Sequence, residues 1–272
     1  MLFTPPQKQE LLWRSKEDRR MKSRGFTILC GVCLSLIVVS FSGAEINLDD
    51  FAGVWLFDEG KGKVVGDFTE NGNDGEFDGP KWIDGKFGKA LEFDGSPKFV
   101  TIAHNDLFNF EDDDFTVGCW MNSENKDAYV VIKRNGGAGF WAMSSSIDRD
   151  TGFFIFEGGG NHIDDGKTDI VGKGWHHTVA VRKKGVISLY VNGKKETERN
   201  VGATMDNPAA LKFGGWGSEN LVGGLDEVFV TKKGVALEEE DIELLMESGW
   251  EAALDVSSKG KLATTWATLK AR

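Results

Sequence analysis

An all-β, antiparallel two-sheet sandwich with a short C-terminal helix is the fold class this sequence predicts, and three observations predict it. Between Phe51 and Val230 the apolar residues recur at period two or in short runs, each ended by Gly, Asn or Asp. Glycine is abundant and proline scarce, 35 against 5 in 272 residues, as suits strands joined by tight turns. Helical periodicity is almost absent before Leu237.

The elements follow in order. Strands are expected over Gly53–Asp58, Ala90–Asp94, Phe99–Ala103 and Phe115–Met121, then over Ala128–Lys133, Phe140–Ser144 and Phe153–Phe156. Trp175–Arg182 is the clearest: Trp175, His177, Val179 and Val181 share one face, and His176, Thr178, Ala180 and Arg182 the other. Lys184-Gly185 turns the chain into Val186–Val191. Asn192-Gly193 is then a strong hairpin signal, because both residues accept the positive φ of a type I′ turn. Leu211–Gly214 and Leu225–Val230 complete the β region. A helix is expected over residues 237–248, with acidic residues in its first turn, Ile242, Leu245 and Met246 on one face, and Gly249 at its end. Beyond it, residues 250–272 read as a basic tail with a linker-like Ser257-Ser-Lys-Gly260.

Residues 21–44 read as a secretory signal peptide: Lys22 and Arg24 form a basic start, residues 26–41 an apolar run, and Ser42-Gly43-Ala44 a cleavage site. Residues 1–20 are then an upstream extension, with Met21 the expected start, and the exported domain covers 45–249. Residues 1–44 carry a net charge of +4, so their removal takes the chain from −11 to about −15. Such a charge disfavours nucleic acid, a polyanion, and suits divalent cations and neutral ligands. No membrane span is expected to remain after cleavage. Cys30 and Cys33 leave with the leader, so Cys119 has no internal disulfide partner and reads as a small core residue.

Several stretches, in order across residues 50–249, resemble the laminin-G-like jelly-roll family of concanavalin A-like lectins and glucanases. These are Gly53-Val-Trp-Leu-Phe-Asp-Glu-Gly60 with Asp67-Phe-Thr-Glu-Asn-Gly-Asn-Asp-Gly75; Trp82 through Gly95; Phe115-Thr-Val to Trp120; Trp175-His-His-Thr-Val-Ala-Val181 with Leu189-Tyr-Val-Asn-Gly193; and Gly224-Leu-Asp-Glu-Val-Phe-Val230. The resemblance implies two stacked, curved antiparallel sheets of jelly-roll topology, with ligands met on the concave face or at the loop rim. It also implies a structural Ca²⁺ tying an early loop to the last strand, with Asp226 and Asp67 as the candidate ligands. Clustered loop oxygens suit that hard cation. The other role open to both aspartates is to cap turns by accepting backbone N–H bonds. Asp148, Asp150, Asp164 and Asp165 also lie in expected loops, but Asp148-Arg-Asp150 lacks the further ligands of an EF-hand.

Catalytic patterns are missing from the sequence. The related glucanases carry Glu-x-Asp-x-x-Glu on one strand, and this chain has no such run. It also lacks a nucleophile elbow, a phosphate loop and a zinc-binding His pair. His176 and His177 point to opposite faces of their strand. The expected function is therefore a secreted, non-catalytic module that binds a glycan or glycoprotein, with Trp216, Trp141 and Trp120 as candidate stacking platforms. The alternatives are a divergent glycoside hydrolase or lyase, and a protein-binding adhesive or structural protein.

Overall fold

The computed structural model describes residues 46–136, 139–145, 153–156, 163, 166–202 and 204–270, with backbone only over 153–156 and 256–270. These residues belong to one compact unit, Gly43–Arg272. The leader, the extension 1–20, Asp148, Asp150, Asp164 and Asp165 lie outside them.

Two sheets stack as the sequence predicts. Sheet A runs β13 (Lys194–Asn200), β12 (Val186–Val191), β11 (His176–Lys183), β7 (Phe115–Ser123), β17 (Val222–Thr231), β5 (Lys89–Asp94) and β4 (Lys81–Asp84), with β1 (Phe51–Trp55) also on β17. Sheet B runs β10 (Phe153–Phe156), β9 (Phe140–Ser144), β8 (Tyr129–Lys133), β14 (Leu211–Phe213), β6 (Val100–Ile102), β3 (Gly75–Phe77) and β2 (Val64–Val65). A small hairpin, β15 (Gly215–Trp216) and β16 (Glu219–Asn220), joins sheet B beside Tyr129. The core between the sheets is apolar and aromatic, including Trp55, Phe115, Cys119, Trp141, Phe213 and Val228. Burial pushes the Cys119 thiol up to about 12, which makes it an inert core residue.

The hairpins form where the turn chemistry places them. Lys184-Gly185 (φ 53° and 77°) and Asn192-Gly193 (φ 49° and 74°) hold the paired positive φ values that link β11, β12 and β13. Strand β11 is buried on both faces. Val179 and Val181 face outward into a second apolar layer, while Ala180 lies between the sheets.

That second layer is the C-terminal helix. It spans Glu239–Lys270 with a break at Gly249 (φ 71°), where a Cβ would come within 2.9 Å of Glu227 Oε1. Ile242, Leu245, Trp250 and Ala253 pack on Phe51, Val54, Val179 and Phe229 of sheet A. The Trp250 ring meets Phe51 edge-on at 4.7 Å. The structure therefore extends the helix beyond the expected end at residue 248. Glu227 accepts the Trp250 N–H at 3.0 Å and restarts the helix after the break, and the backbone of the expected linker 257–260 is helical.

Strand β1 has one free edge, and the loop from Asp67 to Asn73 covers it. Asp67 Oδ1 accepts from the N–H groups of Val54 (3.2 Å) and Thr69 (3.0 Å) and from the Thr69 hydroxyl (2.8 Å). Its Oδ2 accepts from Asn73 N–H at 3.0 Å. The Asn71 and Asn73 amides donate to Phe51 and Ala52 carbonyls at 2.8 and 2.7 Å. One carboxylate thus closes the loop and satisfies a strand edge. Replacing Asp67 with Ala is expected to cost roughly 2–4 kcal/mol in denaturant unfolding, because several backbone donors lose their acceptor. The loss should be the same with excess calcium and with chelator. A loss seen only in calcium would return Asp67 to the role of metal ligand.

Candidate functional site

The sequence-predicted residues separate into three environments. Trp141 is fully buried, with its indole N–H directed at the Phe108 carbonyl (3.3 Å) and its ring near Phe110. The expectation that it forms a stacking platform is corrected: its odd position on β9 turns it between the sheets. Trp120 is 4% exposed on the outer face of sheet A. The Lys86 ammonium lies 4.4 Å above its ring, with Phe87 and His177 against it, so it presents no free face and the same correction applies. Trp216 alone of the three is part exposed, on the outer face of sheet B.

Trp216 belongs to a group assembled from three segments. Tyr129, Ile132, Phe140 and Ala142 form an apolar floor on the outer face of sheet B, and Trp216 packs against it. The Arg134 guanidinium lies 4.0 Å from the Trp216 ring and 4.1 Å from that of Phe140. Its Nη1 donates to the Tyr129 hydroxyl at 3.3 Å, and its Nε is buried with no acceptor. Nearby, the Lys212 ammonium sits 5.1 Å over Phe99. Phe99 abuts the Trp216 hairpin, since a Cβ at Gly215 would come within 2.9 Å of its ring. Stacked cations and indole edges on one face form a surface suited to polar rings. Arg134, Phe140 and Tyr129 were missed in the sequence. Unbroken alternation would put Tyr129 and Arg134 on opposite faces of the strand, and a register shift between Tyr129 and Val131 brings them to a common one.

The carboxylates of β17 form a different centre. Asp226 is fully buried, and its Oδ2 accepts the N–H groups of Lys86 (2.8 Å) and Phe87 (3.0 Å) in the turn between β4 and β5. Its Oδ1 is buried with no partner. Glu227, at φ 45°, turns the other way to hold Trp250. Burial pushes Asp226 up to about 7 and Glu227 up to about 8, with Asp58 adding a like charge to both. Asp58 and Glu227 are not among the residues the sequence singles out for this site, although Glu227 follows Asp226 directly. A cleft of about 750 Å³ opens here, lined by Asp58, Phe87, Glu227, Trp250 and Glu251.

Asp67 accepts four hydrogen bonds, three of them from backbone N–H groups, and so serves as the turn cap that was its other expected role. Asp226 offers one unpartnered oxygen. Among the described residues, no three carboxylate, imidazole or thiolate groups gather in one place. No helix among them is long and apolar enough to cross a membrane.

The fold and these sites define a two-sheet jelly-roll module with an aromatic–cationic outer face. The chain belongs to the concanavalin A-like lectin/glucanases superfamily, whose family model matches residues 94–243. No curated protein matches it. Among solved structures it is similar to the binding domain of Paraclostridial Mosquitocidal Protein 1 (TM-score 0.61, 20% identity, 74% of this chain and 52% of that one). It is also similar to domain 4 of an extracellular GH43 arabinanase from Geobacillus stearothermophilus, solved with arabinotriose (TM-score 0.61, 16% identity, 76% of this chain and 100% of that one). A third is the Trypanosoma rangeli sialidase (TM-score 0.53, 15% identity, 73% of this chain and 33% of that one). The chain thus spans about half of the mosquitocidal chain and a third of the sialidase.

The β17 pair predicts a pH dependence. Both carboxyls ionise near pH ~4 in an unfolded chain, while the folded chain keeps their protons to about 7 and 8. Their contribution to stability is therefore complete below pH ~4 and is lost as pH rises through roughly 7–8. In chelator, the melting temperature should fall between about pH 5.5 and 8.5. The double variant Asp226→Asn, Glu227→Gln should flatten most of that slope. An unchanged slope would place the titration elsewhere.

Proposed function

We propose that this chain is an exported, non-catalytic module that binds a glycan, alone or on a glycoprotein, through the outer face of sheet B around Trp216. The observation that carries the reading is the part-exposed Trp216 ring set on an apolar floor with a guanidinium stacked against it. Flat aromatic surface edged by hydrogen-bond donors matches the amphipathic faces of a pyranose. A domain of this fold, matched along its whole length, was solved with arabinotriose, which supports a glycan-binding role.

The placement of the β17 carboxylates supports the non-catalytic part of the reading. Asp226 and Glu227 are buried; Asp226 holds two backbone N–H groups of the turn between β4 and β5, and Glu227 holds one of the helix. A hydrolase would keep one such group free to reach a glycosidic oxygen. The cleft beside Glu227 keeps the hydrolase alternative testable: Glu227→Gln, which preserves the Trp250 contact, should leave glycan turnover at the buffer rate in both proteins. Turnover by the parent that this variant abolishes would establish an enzyme. The proposed binding around Trp216 does not run through the calcium expected from the sequence.

A glycan array probed with the folded chain tests the main reading. Trp216→Ala is expected to weaken binding to any positive glycan about thirtyfold or more, as loss of a central aromatic anchor does. Its melting temperature should stay close to that of the parent, because the ring is not fully buried. Retained affinity would remove Trp216 from the site.

A further inference from the structure

The charge environment of the Trp216 face is unlike the rest of the molecule. The chain carries 43 acidic and 32 basic side chains. Several lysines sit in ion pairs: Lys63 with Asp78, Lys89 with Asp84, Lys183 with Glu238 and Lys233 with Glu111. Arg134 and Lys212 form no ion pair among the described residues, and each is stacked on aromatic rings instead. Both stand on the outer face of sheet B, where Lys212 is the cross-strand neighbour of Ile132, part of the same apolar floor.

We propose that this face selects sugars bearing a carboxylate, with Arg134 gripping the carboxylate and Trp216 carrying the ring. The proposal deepens the glycan-binding reading and rests on it. The guanidinium carbon lies within about 4 Å of both the Trp216 and Phe140 rings, and a guanidinium held against rings can offer its terminal N–H groups to a carboxylate in two parallel hydrogen bonds. The acceptor of Nη1, the Tyr129 hydroxyl at 3.3 Å, is neutral and distant; Nε is buried, so the two terminal Nη groups are the ones that meet the carboxylate. Packing against rings fixes the fork in place, so little rotamer freedom remains to be lost on binding. Lys212 adds a second positive charge beside the hairpin. Glu219 opposes them. It lies in the Trp216 hairpin, its field reaches Tyr129, and it makes no ion pair with Arg134. The face is therefore tuned by two cations and one carboxylate, and each can be altered separately.

Titration calorimetry on the full chain with sialyllactose, tetragalacturonate, lactose and cellotetraose tests this. At least one acidic probe should bind ten times more tightly than the neutral ones, with an affinity that falls as salt is raised. Which acidic probe binds separates a sialic acid from a uronic acid as the source of the carboxylate. Arg134→Gln should weaken that probe about ten- to a hundredfold, the worth of hydrogen bonds to a charged group. Arg134→Lys should recover only part of the loss, and Glu219→Gln should tighten binding. If Arg134→Gln proves poorly folded by its melting curve, Glu219→Gln decides: no gain in acidic-probe affinity overturns the proposal. Equal binding of neutral probes, untouched by Arg134→Gln, overturns the acidic selectivity and leaves the glycan-binding reading standing. No binding by these probes or on the glycan array overturns both.

Discussion

Strand β17 changes partners in mid-course, and the rest of the domain is arranged around that change. Over Val222–Leu225 its edge pairs with β5, and over Val228–Thr231 the same edge pairs with β1. Between them lie Asp226 and Glu227, in a bulge that also shifts the register with β7. A break in a central strand leaves backbone groups and gaps to be filled. The two carboxylates fill them in opposite directions: Asp226 reaches the turn between β4 and β5, and Glu227 reaches the restarted helix. Sheet A, its edge hairpin and the helical layer are thus tied at one dipeptide. Two buried acids with a third nearby would repel if all were ionised, so the junction is held by partial neutralisation as well as by geometry.

The sequence was most readable where both the turn chemistry and the burial pattern were strong. The β11–β12 hairpin and the long strands β7 and β17 combine apolar alternation with defined turns, and each was located to within a few residues. The unseen strands are β2, β3, β4, β13 and the β15–β16 hairpin. β4, β13 and β2 stand at sheet edges. β13, Lys194-Lys-Glu-Thr-Glu-Arg-Asn200, has no apolar face at all, because its outer edge meets water and its charges deter pairing with other chains. Alternation reports burial on one face, and a strand without a buried face does not display it.

The candidate site was readable only in part, for a related reason. Trp216 stood out because Gly214-Gly-Trp-Gly217 leaves a large ring in a context too open to bury it. Trp141 and Trp120 carry no such mark, and only the tertiary packing decides that one faces the core and the other lies beneath Lys86. Asp226 stood out as a loop carboxylate near the last strand. Its partners are backbone N–H groups about 140 residues away in sequence, and those are invisible to spacing. Asp67 is the simpler case, since most of its acceptor bonds are local and the Asx-type loop it closes was an open reading from the start.

Sheet A and sheet B divide the labour as a consequence. The outer face of sheet A is given to the helix and to the Lys86–Trp120–His177 stack, where burial pushes His177 down to about 3 and keeps its ring neutral. That face is spent on stability. The outer face of sheet B has no helix among the described residues, and Trp216 and Arg134 lie over its aromatic cluster. These are long, amphipathic side chains that bury their apolar parts while keeping polar edges available. A sandwich that covers one outer face with a helix leaves its recognition surface on the other. In this chain that surface is where two ring-stacked cations, without ion pairs among the described residues, coincide with a part-exposed indole, within a molecule otherwise dominated by negative charge.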